Sequence, residues 1–303
     1  ICTVRGSAPR EAGAKMLVWA EGQDGTIGGG SLEFTVVEQA RRMLEAGVPW
    51  RFQNYPLGPL LGQCCGGNVG LLLERLDAGD WLEQVAAAEE SGRDYAIVTR
   101  LRPNGIDKQV GTSGAGEAVT VQHGAGTVTQ RIGEGAVITE RVAARPRLLL
   151  FGAGHVGQAL APIAATLPFH LRWFDTRPEF TVPGVTIAQD PVACVAAAPS
   201  GAFALIFTQS HALDYELTRA VLARGDFAYC GLIGSATKRA RFEKRLLADG
   251  ISSSALSQLV CPIGEIGLTS KVPQVMAVAI AAELMLVQEK AKAALPVRTQ
   301  HAV

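Results

Sequence analysis

The stretch Arg147-Leu-Leu-Leu-Phe-Gly-Ala-Gly-His-Val-Gly157 decides the fold of the second half of the chain. Arg147–Phe151 is a short apolar run suited to a strand covered on both faces. Gly152–Gly157 then matches G-x-G-x-x-G, and a helical pattern runs from His155 to about Thr166. Leu171–Asp175 reads as the next strand, and it ends on an acid 21 residues past Gly154. The glycine motif thus stands in the strand–turn–helix context that its chemistry requires. In that reading Gly152 makes the tight turn, Gly154 admits a pyrophosphate, Gly157 lets helix and sheet pack, and Asp175 accepts from a ribose hydroxyl. The first N–H groups of the helix suit the phosphates, and Arg177 suits an additional one; His155 is either a hydrogen-bond partner of the ligand or a residue tolerated at a solvent-facing first turn. Two other readings stay open: glycines needed only for packing, or a phosphate-bearing cofactor that is not a dinucleotide.

Outward from this unit the alternation continues. Val185–Ala188, Ala202–Thr208, Phe227–Ile233 and Gln258–Pro262 read as strands, and Pro191–Ala198, Ala212–Arg224, Ala236–Asp249 and Pro273–Ala291 as helices. Strands alternating with helices of this length predict a doubly wound parallel sheet of Rossmann type. His211 and Asp214 fall where a strand passes into a helix, and they are candidates for proton transfer there. Ser235 and Lys238, just past Gly231-Leu-Ile-Gly234, suit a phosphate at the next strand end. The ordinary alternative for both pairs is a solvated helix start.

The chain before Arg147 reads differently. Ala14–Trp19 and Trp50–Asn54 are strands around a helix at Ser31–Ala46, Trp81–Ser91 is a second helix, and Tyr95–Leu101, Glu117–Gln122 and Thr127–Ile132 are further strands. This predicts a smaller α+β domain at residues 1–145, a polar linker at Arg141–Pro146, and the Rossmann-type domain at 146–303. Arg10, closing Gly6-Ser-Ala-Pro-Arg10, suits bidentate contact with phosphate or carboxylate. Gly28, Gly29 and Gly30 run into the first helix with Ser31 as the expected cap, which makes a second anion site. Glu33 competes for that helix end.

Gly62-Gln-Cys64-Cys65-Gly66-Gly67 carries the remaining chemistry. Adjacent cysteines do not chelate zinc in the usual geometry, and they bridge poorly. A thiol followed by two glycines suits an exposed nucleophile or soft metal ligand approached by a bulky group; buried inert thiols are the alternative. The other four cysteines sit in or beside apolar runs and read as core.

Composition excludes several classes. The 28 basic and 28 acidic side chains balance, which argues against a general nucleic-acid binder. Glycine supplies 34 of 303 residues, about 11% against an ordinary ~7%. The longest apolar stretch, Val275–Val287, carries Glu283 and is too short for a membrane span. Six scattered cysteines form no disulfide framework, so the cytoplasm is the expected compartment.

Taken together, GSAPREAGAKM (Gly6–Met16), GTIGGGSLE (Gly25–Glu33), GQCCGG (Gly62–Gly67), FGAGHVG (Phe151–Gly157), HALDYELT (His211–Thr218), the GLIGS…KRARFE stretch (Gly231–Glu243) and CPIG…PQVMAVAIAAEL (Cys261–Leu284) resemble the XdhC/CoxI family of accessory proteins of xanthine dehydrogenase and related molybdenum hydroxylases. The resemblance implies an N-terminal XdhC/CoxI domain, a C-terminal Rossmann domain and a non-enzymatic role. That role is to bind the molybdenum cofactor, shield it during sulfuration by a cysteine desulfurase, and deliver it to the apo-dehydrogenase. It also implies that Cys65, beside Cys64, Gly66 and Gly67, contacts the metal or its sulfur, and that Gly28–Gly30 and Arg10 help seat the cofactor. An NAD(P)-dependent oxidoreductase is the alternative, resting on Gly152–Asp175 alone. The apolar last helix suggests a homodimer face.

Overall fold

A computed structural model describes residues 1–58, 66–114, 119–122, 135–180, 182–268 and 270–294. They divide into two compact units, Ile1–Ala144 and Arg145–Val303.

In the second unit the strands are β10 (Arg147–Phe151), β11 (His170–Asp175), β12 (Val185–Ile187), β13 (Phe203–Ile206), β14 (Tyr229–Leu232) and β15 (Leu259–Val260). They form one parallel sheet in the order β12-β11-β10-β13-β14-β15. Counted from β10 this is 3-2-1-4-5-6, the doubly wound order whose direction reverses between strands 1 and 4. The helices are α3 (His155–Thr166), α4 (Pro191–Ala196), α5 (His211–Arg224), α6 (Ala236–Ala248), α7 (Ser253–Leu256) and α8 (Pro273–Ala294). Burial follows the strand chemistry: every residue of β10, β13 and β14 is buried, because helices cover both faces.

One core packs Phe151, Phe174, Tyr215, Leu217 and Phe242 on one side of the sheet. The other packs Leu148, Leu160, Trp173, Phe203 and Tyr229 with Ala277, Ile280, Ala281 and Leu284 of α8. One apolar side of α8 therefore packs inside its own unit, beside α3, while Val278 and Leu286 of the same helix are exposed. Among the described residues no helix is long and apolar enough to cross a membrane.

The first unit holds three small antiparallel sheets. β1 (Thr3–Arg5), β5 (Asn68–Glu74) and β4 (Trp50–Pro56) make one, in the order β1-β5-β4. β2 (Met16–Trp19) and β3 (Gly22–Gly25) make a hairpin. β6 (Tyr95–Arg102), β7 (Gly105–Thr112), β8 (Val119–Gln122) and β9 (Val137–Val142) make the third, in the order β7-β6-β9-β8. Helices α1 (Gly30–Glu45) and α2 (Asp80–Ser91) complete the unit. Leu32, Val36 and Met43 of α1 pack on Tyr55, Val69 and Leu71, the 3–4 spacing of an amphipathic helix lying on a sheet.

The expected strand at Thr127–Ile132 lies outside the described residues. Arg141 and Val142, read as linker, instead complete β9, and β1, β3, β5 and β7 are strands the sequence reading missed.

Candidate functional site

At the end of β10 the chain turns at Gly152 with φ +116°, and a Cβ there would stand 2.3 Å from the Phe207 carbonyl oxygen. Only glycine fits, in conformation and in space. A Cβ on Gly157 would stand 2.2 Å from the Gly152 oxygen, so this glycine lets α3 come down onto the turn. Gly154 differs: its φ is −72° and nothing lies within 4 Å of where its Cβ would be. The fold asks for glycine at 152 and 157, and at 154 it leaves open space over the start of α3.

The turn is braced from beneath. The Ala153 N–H donates to Oδ2 of Asp175 at 2.6 Å, the Trp173 indole N–H donates to the Gly152 oxygen at 3.0 Å, and the Gln158 amide donates to the Ala153 oxygen at 2.8 Å. Trp173 and Gln158 were not singled out from sequence. Their signal is positional: Trp173 shares a strand face with Asp175, and Gln158 follows the last motif glycine.

Asp175, at the end of β11, is held by the chain itself. Besides Ala153, its Oδ1 accepts from the Arg177 N–H and Nε, both at 2.9 Å, and its Oδ2 from Arg177 Nη2 at 2.8 Å. The carboxylate is 2% exposed. Burial pushes its pKa up, but the Arg177 guanidinium and the two backbone N–H groups outweigh that and hold it at about 2. All four bonds are internal, and they tie Asp175, the expected ribose acceptor, to the glycine turn. Arg177, expected to meet a phosphate, chelates Asp175 and stacks on Phe180 at 3.6 Å. His155 begins α3, whose N-terminus has no side-chain cap.

Two cavities open at the strand ends on this side. One is lined by Phe151, Gly152, Phe174, Asp175 and Thr208 among others. The next is lined by Thr208, His211, Asp214, Ser235 and Lys238, which brings four sequence candidates together. Thr208 lines both and was missed; it is the last residue of the expected strand, where polar side chains meet ligands. Its hydroxyl donates to Oδ1 of Asp214 at 2.7 Å, and Lys238 Nζ lies 2.5 Å from Oδ2. Ser235 caps α6 by accepting from the Lys238 N–H at 3.2 Å.

In the first unit three motifs converge. A Cβ on Gly67 would stand 2.1 Å from the Ser7 oxygen, and one on Gly28 would stand 2.4 Å from Cγ of Pro9. The Gly6–Arg10 loop is thus wedged between Gly67 and the glycines before α1. Gly28, Gly29 and Gly30 all have positive φ. The expected anion site there is filled from within: Oε2 of Glu33 accepts from the N–H groups of Ile27 at 3.0 Å and Gly29 at 3.1 Å and from the Thr26 hydroxyl at 2.5 Å. The Thr26 bond first, then those N–H groups, keep the Glu33 carboxyl below its ordinary pKa despite some burial. Ser31 is not the cap; Gly29 is, and Ser31 lies inside the helix. Arg10 is exposed, and so is Gly66. Cys64 and Cys65 lie outside the described residues. Of the other cysteines, Cys2, Cys230 and Cys261 are buried, and Cys194 is half-buried. Complete burial pushes the Cys230 thiol up to about 12.

A 3-2-1-4-5-6 parallel sheet with G-x-G-x-x-G at its switch point defines a Rossmann-type domain. Two family descriptions match the chain and together cover more than half of it: "XdhC Rossmann domain" at residues 148–284, and "XdhC and CoxI family" at residues 1–55. The protein belongs to the XdhC and CoxI family. It is 27% identical, over 98% of its length, to uncharacterized protein YqeB of Escherichia coli (strain K12). The chain spans 44% of that relative's length. It is also similar to the crystal structure of a xanthine dehydrogenase from Bacillus halodurans, with a TM-score of 0.67, 23% identity, and coverage of 100% of this chain and 92% of that one. At this identity the likeness establishes the shared fold.

Proposed function

We propose that this protein is an accessory factor of a xanthine dehydrogenase-type molybdenum hydroxylase. In this reading it binds the molybdenum cofactor as cargo, shields it while a cysteine desulfurase supplies the terminal sulfur, and hands it to the apoenzyme in the cytoplasm. Membership of the XdhC and CoxI family supports the accessory role. The observation that carries cofactor binding is the open space over Gly154, above a turn braced by Asp175, Trp173 and Gln158. A preorganised, uncapped helix start fits the terminal phosphate of such a cofactor, because its N–H groups need an acceptor and its dipole favours negative charge. Among the described residues no group of three or more His, Cys, Asp or Glu side chains could hold a bare metal ion. Cys65, next to the exposed Gly66, is the proposed contact to the metal or its sulfur, on the strength of the family resemblance.

Hydride transfer with NAD(P) is the second reading, favoured by the sheet order. The four internal bonds of Asp175 count against it, since a ribose would have to displace one of them.

Expression in a host that makes the cofactor, followed by molybdenum and pterin analysis of the purified protein, tests the proposal. Wild type is expected to retain both. Gly154→Val and Cys65→Ala are each expected to fold normally and lose them. Wild type free of pterin, or variants loaded to the same level as wild type, would overturn it. Saturable NAD(P) binding without pterin would favour the second reading.

A further inference from the structure

The cavity between the ends of β13 and β14, about 310 Å³, plays no part in the reading above. Its wall holds a buried ion pair, with the Lys238 side chain 11% exposed and that of Asp214 2% exposed. Asp214 is satisfied from inside: Oδ1 accepts from the Thr208 N–H at 3.1 Å and hydroxyl at 2.7 Å, and Oδ2 from Lys238 at 2.5 Å. Lys238 is not. Its ammonium has three N–H groups; one goes to Asp214 and one to the Ile233 oxygen at 2.9 Å. The stem of Lys238 lies against Gly234, where a Cβ would stand 2.7 Å from Cδ, so the glycine lets the lysine fold back to the cavity. Ser235 accepts from the Lys238 N–H and keeps its own hydroxyl proton. The lining thus offers a third ammonium N–H and a hydroxyl proton, and Ile233 is its single wholly apolar side chain.

We propose that this cavity seats a phosphate-type oxyanion, held by the Lys238 ammonium and the Ser235 hydroxyl, with Asp214 as the positioning residue that fixes the ammonium. An acceptor-rich tetrahedral anion is the group such a lining lacks. A free phosphate and a phosphate ester of a larger molecule present the same oxygens. The seat is distinct from the glycine turn and does not depend on the identity of the cargo.

Calorimetric titration of the full chain with inorganic phosphate, and separately with phenyl phosphate, tests this. Saturable binding is expected. Lys238→Met leaves Asp214 buried without its partner, so the paired variant Asp214→Asn/Lys238→Met guards against simple unfolding. Both are expected to bind about ten- to a hundredfold more weakly, the worth of one charge-assisted hydrogen bond. Arg241→Ala, which removes an exposed charge of α6 outside the lining, is expected to keep phosphate binding. Tighter binding of the ion than of the ester supports a free-phosphate seat, and the reverse supports one for a ligand-borne phosphate. No saturable phosphate binding, undiminished binding by the paired variant, or an equal loss in Arg241→Ala would each overturn the proposal.

Discussion

Replacing Asp175 by Asn changes one atom and should loosen the glycine turn. Both oxygens face donors: Oδ2 the Ala153 N–H and Arg177 Nη2, and Oδ1 the Arg177 N–H and Nε. Whichever way the amide is turned, its NH₂ meets two N–H groups, and the charge opposite Arg177 is gone. The ionic part follows from linkage. A carboxyl at about 2 in the folded chain, against about 3.9 unfolded, contributes about 2–3 kcal/mol near neutrality at 1.36 kcal/mol per unit. Because the folded value is the lower one, this stabilisation is fully present above about pH 4 and is lost as the pH falls toward 2. The mismatched donors add a cost of about 1–2 kcal/mol that does not titrate. The expected difference at pH 6 is therefore about 3–5 kcal/mol, shrinking by roughly half at pH 2. Hydrogen exchange of peptides spanning β10 and the start of α3, corrected for intrinsic rates at each pH, measures it locally. An Asn variant whose opening energy matched wild type at pH 6, or whose deficit stayed constant into acid, would refute the reasoning.

Three further outcomes are expected. Gly152→Ala should destabilise by about 3 kcal/mol or more, from positive φ and the clash with the Phe207 carbonyl, whereas Gly154→Ala should leave the melting temperature within a degree or two; equal melting shifts would refute the division of roles. Glu33→Ala should cost about 1–2 kcal/mol, as for loss of a helix cap, and the orphaned Ile27 and Gly29 N–H groups should make stability newly sensitive to added sulfate in thermal melts. Asp214→Ala should cost about 3–5 kcal/mol by leaving Lys238 buried and unpaired, and denaturant unfolding should find the Asp214→Asn/Lys238→Met pair closer to wild type than that single change.

The sequence alone determined the architecture of the second unit. The run Arg147–Phe151, the glycines after it and the alternating segments beyond are local signals, and each maps onto a strand, turn or helix within a few residues. The same local signals predicted a sharp turn at Gly152 and close packing at Gly157. The first unit was only partly legible. β5 and β7 are strands because of their antiparallel partners, and a polar stretch such as Gly105–Thr112 becomes a strand only when β6 lies beside it.

The site divides along the same line. That glycines, acids and a lysine would gather at the strand ends could be read from their spacing. Which groups remain free could not, because satisfaction of a charged group depends on neighbours distant in sequence. Only the tertiary structure turned Asp175 inward onto Ala153 and Arg177, filled the nest before α1 with Glu33, and set Lys238 against Asp214. A sequence specifies the donors and acceptors; the fold decides which of them meet each other and which are left for a ligand.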